Sequence, residues 1–271
     1  MFISNLNSFL NQFEVIIIMK WRFIESGTFD AATNMAIDHA IYENVALGRE
    51  KPTIRFYKWK RNSVSIGAFQ NPDNIDLELC RKNGIDVVRR MTGGRAVFHD
   101  KEDFTYSVIS HIRNYKYRID LAYKEICDSL INTLKDLGIK AKLENKNDLI
   151  VNGKKISGNA AKAMHDGVYL QHGTLIFKLD FEIMPQAMKI DPELAKMKAT
   201  SISTLKKTTQ EKVHDAMKSN FLFGKHFEKK KISHAELDRA EELVKNVYSK
   251  LDLPFGSISR DKGVCYTERG G

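Results

Sequence analysis

An α/β or α+β domain, closed at its C-terminal end by a small helical cap, follows from three features of the sequence. Short runs of β-branched and aromatic residues alternate with amphipathic stretches along much of the chain, and two amphipathic stretches close it. The length of 271 residues allows one large domain with a sizeable core. Hydrophobic residues at 42% and charged residues at 28% exclude a disordered or fibrous chain.

The N-terminal stretch carries an apolar run, Val15 to Met19, far short of the roughly 20 residues of a membrane span and without the basic start of a signal peptide. It reads either as an extension ahead of a start at Met19 or as an ordinary strand over 13–18. From Thr28 to Val45, Ala31, Met35, Ile41 and Val45 recur near helical spacing, with Asp30 placed to cap. TIRFY (53–57), SVSIG (63–67), IDVV (85–88) and FTYSVI (104–109) read as strands. Tyr123, Cys127, Leu130, Leu134 and Leu137 share a helical face after Asp120, with Gly138 at the expected C-cap. DLIV and KKIS flank Asn152-Gly153, a hairpin signal, and GVYLQHGTLIFKL extends the sheet. Beyond Phe181 the pattern turns helical, over 208–221 and 233–251. The second of these opens on a capping box, Ser233 with Glu236, and offers Leu237, Ala240, Val244, Val247 and Leu251 as a buried stripe. The basic stretch from Gly224 to Ile232 reads as a linker.

Lys and Arg number 43 against 34 Asp and Glu, a net charge of +9 that attracts anions without choosing among them. The clusters Lys206-Lys207 and Lys229-Lys230-Lys231 read as solvated surface, and the other basic residues are spread too thinly for a nucleic-acid face. Neither nucleic acid nor membrane is expected as a partner. Cys80, Cys127 and Cys265 form no CxxC pair, which argues against a disulfide framework and a thiolate zinc site and makes a reducing, cytoplasmic compartment the default. His165 and His172 lack HExxH spacing and read as hydrogen-bonded sheet residues.

Chemistry concentrates in two segments. VVRRMTGGRAVFHD (87–100) sets Arg89, Arg90 and Arg95 around exposed backbone N–H groups, a combination that binds phosphate or carboxylate oxygens. Its Gly93-Gly94 pair lets backbone come close to a ligand. It is neither a GxxxxGK[ST] loop nor a GxGxxG fingerprint. NDLIVNGKKISGNAAKAMHDGVYLQHGTLIF (147–177) places Lys155 in a strand beside Ser157 and Gly158. A lone strand lysine is usually solvated. Beside the Arg-Gly-Gly loop and Asn147-Asp148, it completes a set of phosphate-binding cations, a possible metal carboxylate and a fixed ammonium.

Both segments resemble signature motifs of the lipoate–protein ligases, within the superfamily of biotin and lipoate ligases and octanoyltransferases. WRFIESGTFDAATNMAIDHAI resembles that family's opening segment, so the likeness runs from Trp21 to Phe221. It implies a mixed β-sheet flanked by helices, like the catalytic domains of class II aminoacyl-tRNA synthetases and biotin ligases. It further implies an extension over 1–18, a catalytic domain over 19–230 and a helical cap over 231–271. The implied activity is lipoate–protein ligation: lipoate and ATP give lipoyl-AMP, and a lysine of a lipoyl carrier domain then takes the acyl group. The implied partners are glycine cleavage H protein or 2-oxoacid dehydrogenase E2, together with a separately encoded accessory subunit for adenylation, given the short run after Ile232. Lys155 would stabilise charge on the reacting carboxyl and α-phosphate. Arg90, Gly93 and Gly94, with the backbone of Arg95, Ala96, Val97 and Phe98, would hold the nucleotide. His99 and His172 would lie near the acyl pocket, and Asn147 and Asp148 would help place Mg²⁺.

Two departures open an alternative. Arg95 replaces the loop's third glycine, and TGGRAVFHDKEDFTYSVI with VYLQHG is closer to the octanoyltransferases, which move octanoyl from acyl carrier protein to a lipoyl domain. Those enzymes carry a nucleophilic cysteine just before the second motif, where GIKAKLENKNDL has none, and this favours the ligase. A non-catalytic basic binding protein is a further reading, opposed by the intact Lys155 and Asn147-Asp148. Biotin ligase is weaker, since its GRGRxGR-type loop is missing, and the terminal ERGG reads as a frayed end.

Overall fold

A computed structural model describes residues 19–144, 147–163 and 166–251. Alternation in the first strand, β1 (Lys20–Phe29), sends Trp21 and Phe23 into one core and Ile24 into another, which makes it a strand buried on both faces. The other strands are β2 (Thr53–Trp59), β3 (Ser63–Ile66), β4 (Asp86–Arg89), β5 (Val97–His99), β6 (Phe104–His111), β7 (Lys142–Glu144), β8 (Asp148–Val151), β9 (Lys154–Ala163), β10 (Val168–Leu175) and β11 (His226–Lys229). They form a mixed eight-stranded sheet, ordered β11-β1-β2-β6-β10-β9-β8-β7, and a three-stranded sheet, ordered β4-β3-β5.

Helices cover both faces of the large sheet. Helix α1 (Ala31–Ala46) begins where the Asp30 carboxylate accepts the Thr33 N–H at 2.9 Å, so Thr28 and Phe29 stay in β1. The small sheet packs with α2 (Leu77–Lys82), α4 (Ile183–Ala187) and α5 (Pro192–Lys198), and the short α6 (Ile202–Leu205) follows. Helices α3 (Ile119–Asp136) and α7 (Gln210–Leu222) bury Ile126, Leu130, Leu134, Met217 and Phe221 against one face of the large sheet. On the other face, α1 and α8 (His234–Leu243) pack together over Tyr57, Trp59 and Ile109. The mixed sheet flanked by helices is the architecture expected. Asn152 and Gly153 take φ of 51° and 77°, the left-handed pair that the hairpin turn requires.

Two local expectations need correction. The stretch 224–232 is not a linker, because β11 within it adds to the edge of the sheet in parallel with β1, His226 opposite Lys20. The helix expected over 233–251 is regular only to Leu243 and then widens into a π-turn over Val244–Tyr248. The regular helix buries Glu236, Ala240 and Leu243 and leaves Leu237 only partly covered, and the wider turn places the next buried side chain, Tyr248, five residues after Leu243. Glu236 is buried because Arg22 meets it: Nη1 and Nη2 donate to the two carboxylate oxygens at 3.0 and 2.6 Å. The capping box is present as expected, with the Ser233 N–H and hydroxyl on the same carboxylate. Residues 1–18, His165, Cys265 and the ERGG end lie outside the described residues. No helix among the described residues is long and apolar enough to cross a membrane.

Candidate active site

A break in strand register positions the lysine. Asp148 pairs with Gly158 and Leu149 with Ser157, and then the ladder slips so that Ile150 faces Lys155. Such a bulge re-aims a side chain, and the Lys155 ammonium comes 2.8 Å from Asp148 Oδ1. Gly158 supplies the room, since a Cβ there would stand 2.7 Å from Lys155 Nζ. Lys155, Asp148, Asn147 and Gly158 together line a cleft of about 430 Å³. Its inner wall is Met35, Tyr57, Trp59, Ala96, Val97 and Gly173. The lining sets these apolar groups beside a larger number of polar ones, among them Ser65, Thr105, Asn159 and Thr174, an arrangement that can hold an acyl chain ending in a reactive head.

The Arg-Gly-Gly loop forms one side of this cleft, and its arginine behaves differently from the expectation. Arg90 is buried and all its donors are committed inside the protein: Nε to Thr92 Oγ1, Nη1 to the Ser65 carbonyl and hydroxyl, and Nη2 to the Gly93 and Arg95 carbonyls. Burial also brings its guanidinium down to about 10. Arg90 therefore organises the loop instead of presenting an anion clamp. Gly94, at φ of 97°, lies over Gly67, where any Cβ would collide with the Gly94 carbonyl oxygen. The close approach expected of the glycine pair thus occurs between two stretches of the protein's own backbone. Arg90, Gly94, Arg95, Ala96, Val97, His99 and His172 line the cleft as expected, whereas Gly93 does not. Strand alternation in β5 turns Phe98 the other way, into the core of the small sheet, so it offers nothing beside a nucleotide.

Both expected histidines are in the wall, and each meets buried hydroxyls. His99 shares hydrogen bonds with Ser65 Oγ at 2.8 Å and Thr174 Oγ1 at 2.9 Å and stacks on Trp59 with ring centroids 4.3 Å apart. His172 shares one with Thr92 Oγ1 at 2.6 Å, while its Nδ1 faces Asp38 Oδ2 at 3.7 Å. Burial holds both imidazoles below the ordinary range. His39 behaves in the same way, lowered from 6.5 to about 4 by burial. In the unfolded chain these rings bind protons near 6.5; burial disfavours that in the folded chain, and for His39 it lowers the value to about 4. Their contribution is therefore complete above that value and is lost as the pH falls toward His39's folded value. We expect stability to drop between about pH 6.5 and about pH 4, with His39 alone accounting for on the order of 3 kcal/mol. Urea titrations across that range, repeated on His39→Gln, check it: the variant should lose part of the slope.

A cluster that sequence reasoning passed over supports this wall. Asp38 on α1 takes Arg55 Nη1 at 2.7 Å and the Ser107 hydroxyl at 2.8 Å, and Asn34 accepts Arg55 Nη2 at 2.7 Å. Burial would raise the Asp38 carboxyl, but Arg55 and the nearby His172 hold it below the ordinary value. The available signal was a polar pair one helical turn apart, Asn34 and Asp38, on the apolar face of α1, with an arginine in the middle of TIRFY. Met35, Thr105 and Asn159, which lie within the quoted segments without having been singled out for the site, also line the cleft, as does Trp59, which lies in none of them.

As a seat for Mg²⁺ the cleft offers Asn147 and one carboxylate, Asp148, already held by an ammonium. That donor set does not suit a resident divalent ion. Among the described residues, no three His, Cys, Asp or Glu side chains gather to hold a metal.

The model of the lipoyl protein ligase A/B catalytic domain matches residues 30–222. The chain belongs to this family. Its relatives include the octanoyltransferase LipM of Clostridioides difficile (strain 630), 35% identical over 261 residues, covering 85% of this chain and 96% of that one. The LipM of Staphylococcus aureus (strain NCTC 8325 / PS 47) is 32% identical, with 84% and 96% covered. Among solved structures, a bi-partite lipoate protein ligase from Thermoplasma acidophilum superposes with a TM-score of 0.77 at 27% identity, covering 88% of this chain and 97% of that one. A lipoate-protein ligase A bound with ATP gives 0.75 at 28% identity, with 86% and 97% covered. The relatives overturn the expectation of an ATP-dependent lipoate ligase, because at this likeness and near full length they are octanoyltransferases. The likeness of TGGRAVFHDKEDFTYSVI and VYLQHG was the sounder guide. The missing cysteine does not exclude an acyltransferase, since acyl transfer to an amine does not require a covalent intermediate.

Proposed function

We propose that this member of the lipoyl protein ligase A/B family moves a medium-chain acyl group, octanoyl, from an acyl carrier protein thioester to a lysine of a lipoyl domain. The observation that carries the reading is one cleft lined both by Met35, Tyr57 and Trp59 and by the Lys155–Asp148 pair, in a chain akin to octanoyltransferases. The acyl tail lies against Met35, Tyr57 and Trp59, with its carbonyl at the mouth. The incoming neutral amine attacks that carbonyl, a C–N bond forms, and the oxyanion that develops is stabilised by the Lys155 ammonium. The C–S bond then breaks, and the proton lost by the amine ends on the departing sulfur as a thiol. Asp148 fixes the ammonium in place. The thioester is already activated, so neither ATP nor an adenylating accessory subunit has a part in the reaction.

The transfer is direct. Cys80 and Cys127 are buried in the small-sheet core and in α3, burial pushes their thiols up to about 11 and about 12, and neither lines the cleft. Thiols so placed are inert. A Cys80→Ser, Cys127→Ser, Cys265→Ser variant that folds is expected to keep its transfer rate, with sequential kinetics and no acylated enzyme by intact mass spectrometry. An acyl-enzyme in the wild type, lost on changing one cysteine, would remove the direct step. The function itself is tested by mass spectrometry of a lipoyl domain incubated with octanoyl carrier protein and no ATP. Octanoylation is expected, and labelling that needs free acid and ATP would overturn the proposal.

A further inference from the structure

A second surface adjoins the lysine. Along the approach to α5 and the helix itself, Ile190, Leu194 and Met197 are 40%, 46% and 66% exposed. Exposed Lys189, Lys196 and Lys198 flank them along the chain; the Lys189 ammonium donates to the Asp73 carbonyl at 3.0 Å, and Lys198 adds a further cation beside Met197 in the chain. The acidic residues among them are engaged locally, Asp191 as the N-cap of α5 and Glu193 with Lys196 at 2.8 Å. This surface is tied to the strand of the candidate site. The Lys154 ammonium donates to the Lys196 carbonyl at 2.8 Å, the Thr200 N–H donates to the Lys155 carbonyl at 2.8 Å, and Ala199 bridges Lys155 in parallel.

We infer that this face seats the acceptor, a lipoyl domain with an acidic surface around its target lysine; the inference rests on the acyl-transfer reading. Reach separates acceptor from donor. A lysine side chain extends only about 6 Å from its Cα, so the acceptor's backbone must approach the residues bordering Lys155. A donor thioester borne on a long prosthetic arm can be delivered from a carrier seated farther away. The face has an apolar centre, Met197, which adapts to a partner's contour, and a lysine rim, which steers an acidic partner and fixes its orientation.

The test compares the wild type with Met197→Ser, Lys198→Glu, and with Lys198→Arg. Titration with unacylated lipoyl domain, which needs no turnover, should show the double variant binding about tenfold more weakly, with a smaller salt dependence. Its KM for the lipoyl domain should rise in step, while octanoyl transfer to hydroxylamine, a nucleophile that needs no docking, is unchanged and Lys198→Arg behaves as wild type. Unaltered binding and KM in the double variant, no binding by the wild type, or weakening confined to the donor carrier would each overturn the inference. If the wild type transfers octanoyl to neither acceptor, the acyl-transfer reading fails by itself, and the titration still reports on the face.

Discussion

Lys155→Ala should lower octanoyl transfer by about 10²- to 10³-fold, the range seen when one donor to a developing oxyanion is removed, while leaving the fold intact. The side chain is about a third exposed, and among the described residues its ion pair is with Asp148, so little packing is lost. Steady-state kinetics with thermal denaturation as control decide the matter, and near wild-type turnover would remove Lys155 from the chemistry. Gly158→Ala gives an independent check. The added methyl meets the flexible end of Lys155 and not backbone, so it displaces the ammonium at little cost in stability. Its rate should fall in the same direction, by less.

Glu236→Ala should destabilise the folded chain by about 3 kcal/mol or more. Arg22 is 1% exposed and would lose its bidentate partner, keeping Glu50 at 3.3 Å and Thr53 Oγ1 at 3.0 Å. The same change removes the carboxylate half of the capping box, while the backbone N–H of residue 236 keeps Ser233 Oγ. Burial alone would raise the Glu236 carboxyl, but the Arg22 pair and the Ser233 donors hold it below the ordinary carboxylate value. Its contribution is therefore present at neutral pH and lost only in acid, as the pH falls through that depressed value. Urea unfolding at neutral pH measures the effect. Arg22→Met with Glu236→Leu should recover much of the loss, because replacing both charges by apolar groups leaves none buried alone. A single variant as stable as the wild type would show that the pair does not tie α8 to β1.

What could be read from the residues followed local chemistry. The Asn152-Gly153 turn, the Asp30 and Ser233 caps and the apolar stripe of α3 each depend on neighbours within one turn, and each is found. Elements that depend on distant partners escaped. β11 is a strand only because β1 lies beside it, and its residues, HFEK, are mostly exposed and lack an apolar alternation. β1 went unread because Arg22, which finds its carboxylate more than two hundred residues away, interrupts the apolar pattern. Within the site, the motifs led to Lys155, Asp148 and the glycine loop. They did not reveal that Arg90 faces inward, since the chemistry of a guanidinium is the same whether it meets a ligand or five groups of its own chain. Asp38 and Arg55 form one cluster only after α1 is laid across β2 and β6.

The placement of the aromatic residues also gives the molecule an optical readout. Of its two tryptophans, Trp21 belongs to the core under α3 and α7, with the Lys225 ammonium 5.6 Å from its ring. Trp59 forms the cleft wall, its indole N–H on Thr105 Oγ1 and its face on His99. On the acyl-transfer reading, an acyl chain entering the cleft comes against one indole and leaves the other untouched. Emission from Trp59 then tracks occupancy in real time, with Trp21 as a constant background, so that loading and release can be followed by stopped flow without a label on either carrier.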